Sequence, residues 1–186
     1  MDIIDCINSR RSGRSYKDKP ISKETLQELI VLGTKAPTGS YEQPWGFVVL
    51  QDQTEIDQLS EDIKKYIAGN IESFPYFKQY ESWMTDSSFH VFYHASTVLI
   101  IYGNTKSHWY IYDCSLMAEN IMLSAYSKGI ATCWIGFSEY MCNTKEFKEK
   151  HNVPAHYELV CPLSMGYSNK DSKPPKRKEP MIFNQL

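Results

Sequence analysis

Ser9-Arg10-Arg11-Ser12-Gly13-Arg14-Ser15-Tyr16 sets three arginines and three serines within eight residues, directly after a short apolar helical stretch. A guanidinium presents a fixed fork of N–H donors and keeps its charge at any workable pH. Arginines at this density therefore suit phosphate oxygens, with serine hydroxyls as secondary donors. A solvated basic turn has the same composition, and the segment alone leaves both readings open.

Outward from this segment the pattern reads helix, turn, helix. Ile3, Ile4 and Ile7 fall on one helical face over 2–9, and Ser22 is placed to cap a second helix carrying Leu26, Leu29 and Ile30, before the break at Pro37. Residues 46–51 read as a buried strand, 54–67 as a charged amphipathic helix, and 97–102 as a second buried strand ended by Gly103. From about Tyr110 to Lys128, Cys114, Met117, Ala118, Ile121, Met122 and Ala125 recur at the spacing of a buried stripe. That spacing predicts a central helix, with Gly129 as its stop. Strands follow at 131–135 and 158–165, with a short helix around 145–150 between them. Alternating elements with solidly apolar strands predict a layered α+β domain. At 186 residues, a single domain over 1–186 is expected.

Composition excludes several function classes. Hydrophobic residues make up 42% and charged residues 23%, as in ordinary globular chains, and a net charge of −2 argues against a nucleic-acid surface. No apolar run approaches the ~20 residues needed to span a bilayer, so no membrane partner and a cytoplasmic location are expected. Five cysteines, Cys6, Cys114, Cys133, Cys142 and Cys161, include no Cys-x-x-Cys pair, which leaves a disulfide framework or iron–sulfur insert without support.

A second landmark, Ala36-Pro37-Thr38-Gly39-Ser40-Tyr41-Glu42-Gln43-Pro44-Trp45, leads into the strand at Gly46. Four other stretches stand in order behind it: the helix Ala118 to Ala125, the turn Thr132-Cys133-Trp134-Ile135-Gly136, the strand end Pro162 to Tyr167 and the basic tail Lys176-Arg177-Lys178. With the Arg-Ser-rich start they make nearly the whole chain resemble the nitroreductase family of FMN-dependent oxidoreductases. The resemblance implies an α+β nitroreductase-type fold, a central mostly antiparallel sheet flanked by helices, with an extended C-terminal arm swapped onto the partner subunit of a homodimer. It implies FMN as cofactor and NAD(P)H as transient reductant. No catalytic side chain is expected, because flavin N5 carries the chemistry.

By the same resemblance, Arg10 and Ser12 face the phosphate and ribityl chain and Arg14 the pyrimidine edge, with Arg11 counted in the same cofactor set. Lys176, Arg177 and Lys178 complete the phosphate pocket. Pro37, Thr38 and Gln43 belong to a loop against the flavin, Asn70 to its pyrimidine edge, and Trp134, Ile135 and Gly136 to one of its faces. Tyr41 stands where the family commonly has asparagine; it either walls the substrate cavity or is a plain turn residue. Met181-Ile182-Phe183 would anchor the arm.

Other constellations fail. His90 and His94 are four apart, but the surrounding sequence offers no third ligand and no His-Glu-x-x-His spacing, so no metal is expected. There is no Gly-x-Gly-x-x-Gly, Walker or Gly-x-Ser-x-Gly motif. The expected function is hydride transfer from NAD(P)H through the flavin to small flat nitroaromatic, quinone or enone acceptors, by a ping-pong mechanism. The rivals are a flavin-storing or sensing protein without efficient turnover, and a specialised reductase of dehalogenase or flavin-remodelling type.

Overall fold

A computed structural model describes residues 2–170 and 174–183 of the chain. Its centre is a four-stranded antiparallel sheet in the order β1-β2-β4-β3, with β1 at Trp45–Leu50, β2 at Thr97–Asn104, β3 at Ile130–Trp134 and β4 at Tyr157–Tyr167. β2 is sealed on both faces, and its alternation divides the interior in two. Val98, Ile100 and Tyr102 face one cluster, Leu99 and Ile101 the other.

Among the described residues, six α-helices surround the sheet directly or through one another. α2 (Lys23–Gly33) and α5 (Tyr110–Ser127) lie on the Leu99 side, where Leu26 and Leu29 join Met117, Ala118, Ile121 and Ala125 in one core. α3 (Gln53–Gly69) lies on the other side with Ile56, Ile63 and Ile67 turned inward. Short local devices start the helices: Asp2, Ser22, Asp52 and Thr144 each accept a backbone N–H in the first turn of α1 (Ile3–Ser9), α2, α3 and α6 (Lys145–Lys150). α5 ends as expected at Gly129, whose φ of 73° only glycine adopts without strain.

Two regions differ from what periodicity predicts. Ile3, Ile4 and Ile7 form the expected stripe on α1, yet all three are exposed and Cys6 is the buried residue. Residues 71–93, for which no element was expected, form 3-10 turns at Ile71–Ser73 and Pro75–Tyr80 followed by the short helix α4 (Glu81–Thr85). Their rings do not follow the 3.6-residue period of an α-helix, because a 3-10 turn advances about 3.0 residues and the turns are short. The C-terminal residues 174–183 are exposed and form no helix or strand, and residues 171–173 before the basic tail lie outside the described residues. Among the described residues, no helix is long and apolar enough to cross a membrane.

Candidate functional site

The Arg-Ser segment is a strap laid along the sheet. Ser12 pairs in parallel with Thr132 of β3, and the Gly13 N–H donates to the Thr132 carbonyl at 2.9 Å. Farther on, Lys17 donates to the Tyr167 carbonyl at 2.7 Å and Asn169 to the Ser15 carbonyl at 3.0 Å. Gly13 allows this fit, since a Cβ there would stand 2.5 Å from the Ala131 Cβ. The buried Tyr16 hydroxyl donates to the Gly13 carbonyl at 2.7 Å and lies 2.8 Å from Ser164 Oγ. Burial pushes the Tyr16 phenol far up, opposed by the Ser164 bond, so it stays a neutral donor.

This anchoring sets Ser12 beside Thr132, next to the buried Cys133 near the end of β3, and places Arg14 in the lining of the same cavity as that thiol. Burial raises the Cys133 pKa, while Arg14, Ser12 and Arg10 all pull it down. Among the described residues Arg10 makes a long 3.7 Å pair with Glu119, which leaves most of its donors unspent there. Arg11 is turned elsewhere: its Nη1 donates to the Asn8 and Arg10 carbonyls at 2.8 and 2.7 Å, satisfying the end of α1.

Arg14 and Cys133 open onto a cavity of about 820 Å³. Trp134, Ile135 and Gly136 line it from the end of β3, and at Gly136 nothing stands within 4 Å of where a Cβ would be, so the backbone there is open to a ligand. The opposite wall is aromatic and comes almost wholly from residues 76–93, the region without periodicity. Tyr80, Trp83 and Phe89 follow one another at centroid distances of 5.3 and 5.1 Å, and Phe137 closes the group 5.3 Å from Tyr80. The Arg14 guanidinium lies 5.9 Å from the Tyr93 ring centre.

Other expected site residues are not brought to this cavity within the chain. Pro37, Thr38, Tyr41 and Gln43 belong to a loop packed on the start of α5, where the buried Asp113 carboxylate accepts the Gly39 N–H at 3.1 and 3.2 Å. Ser40, Tyr41 and Gln43 hold positive φ values of 52°, 58° and 48°, an unfavoured backbone for such residues. Tyr41 is 90% exposed and does not line this cavity. Asn70 caps α3, its Nδ2 donating to the Tyr66 carbonyl at 2.8 Å. Lys176, Arg177 and Lys178 are exposed on the tail.

One expectation is corrected. Asp57 of α3 joins His90 and His94, the ligand atoms of all three lying within 4.8 Å of one another, so a third group is present that spacing could not reveal. Yet His90 Nδ1 accepts the Phe92 and His94 N–H groups at 3.1 and 3.2 Å, which places the ring proton on Nε2, 3.1 Å from Asp57 Oδ1. A metal on Nε2 would force that proton onto Nδ1, against two donors. The arrangement is a clasp instead: Asp57, Ser60 and Lys64 on one face of α3 hold His90, Val91 and Phe89. Burial, then the neighbouring His94, lowers the His90 pKa, with Asp57 and Glu61 opposing. The folded chain thus binds this proton less readily than the unfolded one. The clasp's stability is complete above about pH 6.5 and is lost as the pH falls through the lowered folded value. Urea unfolding at pH 7.5 and pH 5 should register that loss, and His90→Asn should reduce the difference between the two; an unchanged difference would exclude His90 as its source.

The chain has known relatives. A protein of Archaeoglobus fulgidus named as an NADH dehydrogenase/NAD(P)H nitroreductase is 27% identical over 177 residues, covering 92% of this chain and 88% of its own. Iodotyrosine deiodinase 1 of Pongo abelii is 25% identical over 195 residues, covering 95% of this chain and 65% of its own. The crystal structure of a nitroreductase with bound FMN from Bacteroides fragilis superimposes with a TM-score of 0.85 at 25% identity, over 100% of this chain and 98% of that one. The Nitroreductase family profile matches residues 7–167, from the end of α1 to the last residue of β4, and with the shared fold this places the chain in the nitroreductase family.

Proposed function

We propose that residues 1–186 form one FMN-binding domain of a homodimeric NAD(P)H oxidoreductase working in the cytoplasm. The observation that carries this reading is the strap that pairs Ser12 with Thr132 and sets Arg14 with Cys133 in the lining of an aromatic cavity, beside the open backbone at Gly136. The donor set fits FMN: unspent guanidinium donors and a hydroxyl for phosphate and pyrimidine oxygens, and a flat opening bordered by Trp134 and Ile135 for the ring. The chemistry FMN supplies when bound is hydride transfer at N5, from NAD(P)H and on to a nitroaromatic, quinone or enone acceptor in alternating half-reactions.

The chain's own residues then have distinct tasks. Arg10 and Ser12 hold the phosphate end, joined by Lys176, Arg177 or Lys178. Arg14 places a positive charge where the flavin becomes negative on reduction. The aromatic wall excludes water and receives flat acceptors. The loop with Pro37, Thr38 and Gln43, held away from its own cavity by Asp113, reaches the flavin of a second copy. Exposed Ile3, Ile4 and Ile7 on α1, with Ile111, Tyr112 and Leu116 on α5, supply an apolar face for that copy to cover. Five buried free cysteines suit a reducing compartment.

Purification should yield a yellow protein with one FMN per subunit that NADH or NADPH bleaches without oxygen. A colourless protein that takes up no FMN rejects the reading, and a yellow one that neither nucleotide bleaches favours the flavin-storing rival. The deiodinase relative favours a narrower second reading, a reductase for one metabolite, which a comparison of acceptors by kcat/KM would separate. Arg14→Ala should cost about 1.5–3 kcal/mol of flavin binding, the worth of a hydrogen bond to a charged group. It should also make the reduction potential of the bound flavin more negative; an unchanged or more positive potential would contradict the role.

A further inference from the structure

Two charged side chains line the aromatic cavity, Arg14 and Asp86. Arg14 has a task toward the flavin; Asp86 has none. It follows α4, three residues beyond Trp83, and its Oδ1 accepts both the N–H and the hydroxyl of Ser88 at 2.8 Å. Those bonds hold its carboxyl below the usual range, the hydroxyl contributing most, so it is ionised at neutral pH with Oδ2 left over. The nearby ammonium of Lys64 is already spent on Glu61 at 2.8 Å and the Phe89 carbonyl at 3.1 Å. Beside Asp86 stands the ring group of Tyr80, Trp83 and Phe89, with Trp83 43% exposed. Aromatic faces are the negative side of the ring quadrupole, so a ligand cation that meets both a ring face and the Asp86 carboxylate is attracted by both.

We propose that Asp86 determines acceptor specificity: the cavity takes flat aromatic acceptors bearing a cationic substituent, ammonium or amidinium in kind, the ring lying on Trp83 and Phe89 and the cation facing the carboxylate. This rests on the cavity being the acceptor site, but it is a statement about binding and can be tested as one. The neutral face of the molecule packs as any flat acceptor would; the charge alone discriminates.

The test uses the protein as purified, oxidised, with three redox-inert probes of similar shape: phenyltrimethylammonium, tert-butylbenzene and benzoate. Affinity is read by quenching of tryptophan and flavin fluorescence and by calorimetry. The wild-type protein should bind the cation about ten-fold tighter than the neutral probe, and benzoate more weakly than either. Asp86→Asn keeps the Oδ1 acceptor for Ser88, so the turn persists. It should erase the preference for the cation and leave the neutral probe unchanged, whereas Trp83→Leu should weaken cation and neutral probe together. Equal binding of the three probes, tighter binding of benzoate, or a preference that survives in Asp86→Asn overturns the proposal. A preference lost in Asp86→Asn, in a protein that NAD(P)H does not reduce, supports the subsite and sinks the reductase reading. Reduction by NAD(P)H with no charge preference does the reverse.

Discussion

Gly13→Ala is expected to release the N-terminal strap and with it the cofactor. The added methyl would lie 2.5 Å from the Ala131 Cβ and 3.7 Å from the Ala131 Cα, so the neighbour in the way is a short side chain rooted in a paired strand and cannot swing aside. The strap has to lift, lengthening the 2.9 Å bond from Gly13 to Thr132 and pulling on the Tyr16 hydroxyl that closes the turn below. Overpacking of this kind costs roughly 1–3 kcal/mol. Function should suffer more than stability, because a small shift moves Ser12 and Arg14 away from Cys133 and misaligns every donor at once. The expected result is a modest drop in urea midpoint with a large loss of retained flavin after gel filtration. Adding Ala131→Gly should restore much of both, since it removes the clashing atom, and the coupling between the two changes can be read from a double-mutant cycle. A Gly13→Ala protein as yellow and as stable as the parent would mean that the strap is not held where the donors need it.

The strands and long helices were legible because their signals are local. The stripe of Met117, Ala118, Ile121 and Ala125 could belong only to a buried helix, and the apolar run of β2 only to a strand covered on both faces. Caps such as Ser22 and the stop at Gly129 are chemical facts about single residues. The aromatic wall was not legible, since Tyr76 and Tyr80 sit on a 3-10 turn, Trp83 on a five-residue helix and Phe89 and Tyr93 on the irregular stretch after it, and they become neighbours only when Ser60, Lys64 and Asp57 clasp that segment to α3. Asp57 beside the two histidines is the same kind of fact, 33 residues distant from His90 in sequence. Arg11 and Asn70 show the converse. Both stand in the expected cofactor set, and within the chain both also spend donors on a helix end, a demand that any helix makes and no motif records.

Ending the chain before Asp171 is expected to cost both the dimer and the flavin. In the single chain Met181, Ile182 and Phe183 are 79%, 54% and 93% exposed, and Ile3, Ile4 and Ile7 on α1 are exposed as well. Apolar surface of that extent gains nothing from water, whereas an obligate interface commonly buries upwards of about 2,000 Å². The basic run Lys176-Arg177-Lys178 precedes the apolar residues, so an arm that crosses to a second copy would deliver cations to a phosphate before anchoring itself. The two contributions can be separated. Replacing the three basic residues by alanine should release FMN on desalting while sedimentation still reports a dimer. Replacing Met181, Ile182 and Phe183 by serine should shift the chain toward monomer at micromolar concentration and lose flavin as a consequence. The order of loss is the informative part: flavin without dimer dissociation in the first variant, dissociation before flavin release in the second. A truncated chain that remains dimeric, yellow and reducible by NAD(P)H would show that the tail is solvated and that the strap and cavity alone retain the cofactor.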